Sequence, residues 1–318
     1  MRTIGRPEWT RARLEGFMGH AFHFEMVEGG GGVMNDNIDW GLALDFVPQL
    51  AEFREFHATK HDTDIDLPAL KREARDSVRA GLERGFPALV WQPMSLEQKA
   101  SDHPAHHAYC WGLIVGYNEA EETYTVRHPY VTDTYTVRYD AIGHADPIEW
   151  FNVKVYVQPV AENEQEMHRT ALRNAIAFAM GIRYTDERFI RHNGNPSIPY
   201  GFAAYELWRE AFESADISPG HSRHHAETLK GRRLVAAEYM RELIAIFPKA
   251  AGPLESAATH YDRELDALNP LYDLCARSRE TWTANDRAEV QRLIGEALKA
   301  DREAVAQIEA ALKILDVQ

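Results

Sequence analysis

The sequence changes character near Pro159, and that change limits the chain to two architectures joined in series. Upstream, runs rich in β-branched and aromatic residues predict strands at 86–91, 109–117, 123–127, 132–139 and 148–157. The run from Tyr109 to Tyr117 is continuously apolar, as a central strand is when both its faces are covered. From Glu162 onward nothing reads as a strand, and helices are predicted at 162–181, 201–215, 222–247, 251–277 and 284–315. The strands do not alternate with helices, so the expected class is α+β. Residues 1–160 would form an α+β domain with N-terminal helices, and residues 161–318 an all-helical domain.

Local signals sharpen several elements. Leu70, Ala74, Val78 and Leu82 form one stripe over 67–84, with Pro68 suited to the first turn and Gly85 to the position after the last. Thr283 suits the N-cap of the last helix. There Val290, Leu293, Ala297, Ala304, Ile308, Ala311 and Leu315 lie near heptad spacing, which predicts a seam able to make a homodimer through the helical domain. Leu14, Phe17, Met18, Ala21 and Phe22 predict a helix over 9–22, where Gly16 and Gly19 point to something packed closely. The segment 39–56 reads as two short helices divided at Pro48.

Composition narrows the function classes. A net charge of −14 over 318 residues repels phosphate backbones and anionic lipid, so neither nucleic acid nor a membrane is an expected partner. No apolar run approaches the length of a membrane span, and the N-terminus carries no signal-peptide core, so a cytoplasmic location is expected. Cys110 and Cys275 are the only cysteines, one in each predicted domain, and no disulfide is expected. The pairs His20/His23 and His57/His61 have helical spacing for a metal but lack a third ligand, so no metal and no cofactor are expected. The four glycines at 29–32 lack the Gly-Lys-Ser/Thr ending of a phosphate loop and read as a turn.

The sharpest motif is Trp111-Gly112-Leu113-Ile114-Val115-Gly116-Tyr117-Asn118, then a hairpin, then His128-Pro129. It resembles the papain-like cysteine peptidase superfamily, in its bacteriocin-processing and butirosin-biosynthesis-like branch. Three stretches share the likeness: Gly16 to Phe22, Leu82 to Trp91, and Gly201 to Trp208, the last similar to the helical partner domain of uncharacterised bacterial members. The resemblance implies a papain-like antiparallel sheet followed by that helical domain. It also implies a nucleophilic cysteine on the first helix, yet no cysteine precedes position 110. Cys110 stands where the family has its catalytic histidine, and His128 where it has an aspartate.

The leading expectation is therefore a catalytically degenerate relative that binds a small molecule or peptide. Trp91, Trp111 and Tyr117 would line its cleft, with Asn118, His107 and His20 as polar contacts. The rival is an active cysteine hydrolase or acyltransferase built on Cys110 with His128 or His107. Residues 107 and 110 point to opposite faces of an extended strand, whereas His128 can face Cys110 across the hairpin.

Overall fold

The computed structural model describes residues 8–26, 51–59, 61–104, 110–144, 150–159, 163–181, 199–212, 219–277 and 282–317. The glycine run 29–32 and His107 lie outside these described residues. Described residues 51–159 form one unit, and 8–26 together with 163–317 form a second.

The first unit is a six-stranded antiparallel sheet with two helices. Its strands are β1 (Ala51–Thr59), β2 (Ala88–Trp91), β3 (Trp111–Asn118), β4 (Thr123–Arg127), β5 (Tyr135–Arg138) and β6 (Trp150–Pro159), in the order β1-β6-β2-β3-β4-β5. Helix α2 (Leu67–Glu83) begins at Asp66, whose side chain accepts from the Ala69 N–H, and ends at Gly85 with φ of +87°. Its stripe of Leu70, Ala74, Val78 and Leu82 packs on Phe56, Val90, Ile114, Val126 and Val153 from one face of the sheet. A short helix, α3 (Leu96–Ala100), has a capping box of Ser95 and Gln98.

One element departs from the sequence reading. The described part of 39–56 is strand, not helix: Ala51 to Thr59 pairs with Pro159 to Trp150 along its whole length. The nine-residue ladder with β6 outweighs local helical preference. His57 and His61 therefore do not share a helix face; His57 is on β1 and His61 lies in the turn beyond it.

The second unit contains α1 (Arg11–Phe17), α4 (Glu164–Ala179), α5 (Phe202–Ala211), α6 (Pro219–Ile246), α7 (Ala251–Cys275) and α8 (Ala284–Asp316). The chain as a whole is α+β, with its longer helices gathered after the sheet. Gly16 is where α1 meets α6: a Cβ there would stand 2.3 Å from the Tyr239 ring, so only glycine permits the approach. Thr283 caps α8 in a capping box with Asp286. The predicted seam of α8, from Val290 to Leu315, is buried inside the unit. Trp208, Tyr205, Phe24, Leu268 and Ile294 belong to the core it joins.

That core also encloses a charged network. Arg233 is buried, with Nε donating to Glu264 at 3.0 Å, Nη2 to Asp301 at 3.3 Å and to the Tyr205 hydroxyl at 3.0 Å, and Nη1 to the Ala21 carbonyl at 2.8 Å. Tyr205 donates a short hydrogen bond to Glu264. Two carboxylates thus face one guanidinium, and burial pushes Glu264 up to about 8 despite the pull of Arg233. The folded chain therefore holds a proton on Glu264 that the unfolded chain releases above its ordinary value near 4.5, so this group lowers stability as pH rises towards 8. Urea unfolding of wild type and Glu264→Gln at pH 5 and pH 8 should show the difference swinging towards the variant by about 2 kcal/mol at the higher pH.

Candidate functional site

The hairpin geometry brings two of the predicted site residues together. Cys110 precedes β3, His128 follows β4, and Leu113 lies opposite Arg127, so both residues stand at the same end of the hairpin. Gly112 makes room there, since a Cβ would meet Pro93 Cγ at 2.8 Å and the Arg127 carbonyl at 3.2 Å. Cys110 Sγ lies 3.1 Å from His128 Nε2. The pairing anticipated by counting residues across the turn is thus present as a contact.

Its proton arrangement differs from that of a catalytic pair. The Tyr130 backbone N–H donates to His128 Nδ1 at 3.4 Å, which places a lone pair on that nitrogen. In the neutral ring Nε2 then carries the hydrogen and donates towards Sγ, while the thiol turns to the Trp111 carbonyl at 3.6 Å. A Cys–His enzyme needs the reverse: a lone pair on the nitrogen facing sulfur, and an acceptor on the other nitrogen to stabilise the imidazolium. Burial pushes the Cys110 thiol up to about 11. Burial, and then the nearby His103, holds His128 below its ordinary value; the residue is 2% exposed. Both groups are neutral near pH 7, whereas a reactive cysteine has a depressed pKa. The nearby Tyr135 hydroxyl is turned to the Pro93 carbonyl, to which it donates at 2.9 Å.

The other candidates are dispersed. Trp91 sits opposite Trp111 on β2 and β3, with ring centroids 5.5 Å apart. Tyr117 lies on the other face, because a β-bulge between Ile114 and Gly116 reverses the alternation; its ring packs with the α2-side core under Arg79. Asn118 closes the hairpin, its Oδ1 accepting from the backbone of Ala120 at 3.0 Å and Glu121 at 3.3 Å. His20 belongs to the helical unit, where Nδ1 is 3.2 Å from Glu15 Oε2.

Two residues that the sequence reading did not single out join the tryptophans. Trp150 packs on Trp91 at 5.4 Å, and Lys154 stands 6.0 Å over the Trp111 ring. Lys154 is only 7% exposed and pairs with Glu55 at 3.3 Å. The indole N–H groups of Trp111 and Trp150 and the Asn152 carbonyl oxygen are buried without a hydrogen-bond partner. Strand alternation on β6 was the available signal, since residues 150, 152 and 154 share a face.

Cavities of about 370 and 670 Å³ open elsewhere on the sheet unit, and neither is lined by Cys110 or His128. Among the described residues no group of three or more His, Cys, Asp or Glu side chains is arranged to hold a metal, and no helix is long and apolar enough to cross a membrane. No model of a known protein family matches the sequence, and no curated protein matches it.

Asn118→Ala should lower stability by ~1 kcal/mol, from loss of the turn-closing bonds, and leave Cys110 alkylation unchanged. Chemical denaturation alongside thiol labelling separates this role from a ligand contact.

Proposed function

We propose that this chain is a papain-like protein without cysteine catalysis that binds a small molecule or peptide. The observation that carries the reading is the proton arrangement at His128, whose Nδ1 faces a backbone donor while Nε2 faces the thiol. Papain-like ancestry rests on the motif around β3 and on the unit of helix, glycine and strand formed by α2, Gly85 and β2, while Cys110 in the place of the family's histidine is a departure that argues against catalysis. The ligand reading rests on the tryptophan face. Unpartnered buried donors are costly, and two indole N–H groups beside a buried lysine suit a ligand bearing oxygen acceptors.

The rival, a cysteine hydrolase or acyltransferase, draws its support from the 3.1 Å approach of sulfur and imidazole. In that reading His128 takes the thiol proton, Cys110 sulfur bonds to the acyl carbon of an ester or amide, and the bond from that carbon to the leaving group breaks as the imidazolium returns the proton to it. The ionised form would leave an imidazolium N–H facing the Tyr130 N–H.

Alkylation kinetics separate the two readings. In a Cys275→Ser background only Cys110 reports, and its iodoacetamide rate should climb steadily towards pH 11 without a plateau. A plateau between pH 5 and 8 would reveal a thiolate–imidazolium pair and support the rival.

A further inference from the structure

The cavity of about 370 Å³ beside the first half of α2 has a composition at odds with a chain of net charge −14. Lys71, Arg72, Arg75 and Arg138 line it, against only Glu122 and Asp140. Both carboxylates lie against Arg138, Asp140 at 3.1 Å and Glu122 at 3.9 Å. Lys71 donates to the Asp140 carbonyl at 2.7 Å and touches His144 Nε2 at 3.1 Å. Arg72 makes no ion pair with any described residue, and Arg75 has only Asp76 at 3.6 Å. The Arg75 Nε is buried and has no hydrogen-bond partner.

A bland explanation exists, and the same helix supplies its control. Lys71, Arg75 and Arg79 recur at every fourth position and lie over Phe151, Tyr139 and Tyr117 at 5.5, 5.8 and 5.6 Å. Long cationic side chains often cover aromatic surface in this way. Arg79 shows what a purely covering residue looks like: it is matched by Glu119 and Glu83. Arg72 has no such partner among the described residues, and Arg75, one turn before Arg79, has only its chain neighbour Asp76, although both line an open cavity.

We propose that this cavity is a binding site for a small organic oxyanion of the phosphate-monoester or carboxylate class. Arg72 and Arg75 hold the anionic group, and Leu67, Pro68 and Tyr139 receive the apolar part. Guanidinium groups suit this task because they present paired N–H donors to two oxygens at once. The site is independent of the tryptophan face and of the Cys110–His128 pair, and stands or falls separately from the function proposed above.

Calorimetric titration of the full chain at low ionic strength with phenyl phosphate and with benzoate tests it, with phenol as the neutral control. Saturable binding of at least one oxyanion is expected, with none of phenol. Binding should weaken about tenfold in Arg72→Gln and further in Arg72→Gln/Arg75→Gln, and remain unchanged in Arg79→Gln. Arg72 is exposed, so the single variant reports even if the double variant fails to fold. The site is refuted if neither oxyanion saturates, if phenol binds equally well, or if Arg79→Gln weakens binding as much as Arg72→Gln.

Discussion

Removing a charge from water is costly unless a matching charge or several hydrogen bonds replace the lost hydration, and this constraint governs the ionisable groups inside both units. In the helical unit Arg233 meets the condition, with Glu264, Asp301, Tyr205 and the Ala21 carbonyl around one guanidinium. The excess carboxylate is neutralised by holding its proton. In the sheet unit the condition fails for Cys110 and His128. Burial raises the thiol, and burial, then His103 among the described residues, pushes the imidazole further towards neutrality. Proximity at 3.1 Å does not by itself make a nucleophile, and among the described residues no carboxylate or cation is hydrogen-bonded to the pair to stabilise separated charges.

Neutrality also suits the hydrogen bonding at the hairpin end. A neutral thiol and a neutral imidazole satisfy each other, the Trp111 carbonyl and the Tyr130 amide, so the hairpin end is closed without an unpaired polar atom on either side chain. The tryptophan face is different. Its two indole N–H groups and the Asn152 oxygen remain unsatisfied, and Lys154 is held near them by Glu55.

Much of the fold was legible because periodicity is a property of consecutive residues. The stripe of α2, the seam of α8, the cap at Thr283 and the hairpin of β3 and β4 all follow from local spacing. The contact between Cys110 and His128 followed from counting across that hairpin. What stayed hidden depends on partners distant in sequence. β1 is strand because β6 pairs with it, about a hundred residues away. Tyr117 parted from Trp111 because one bulged residue reverses every later side chain. Arg232-Arg233 reads as an ordinary charged step in a helix, and nothing local marks Arg233 as buried. The tautomer of His128 depends on a backbone N–H that no sequence pattern displays.

The proton position on His128 is the centre of this interpretation, and nitrogen NMR of the imidazole reads it directly. Long-range ¹⁵N–¹H correlation spectra of uniformly labelled protein, with His128→Gln for assignment, distinguish a protonated Nε2 from a protonated Nδ1 and both from imidazolium. Between about pH 7 and 8 the ring should remain neutral, with hydrogen on Nε2 and a bare Nδ1. An imidazolium spectrum in that range, collapsing to neutral in Cys110→Ser, would show a thiolate–imidazolium pair and contradict the interpretation.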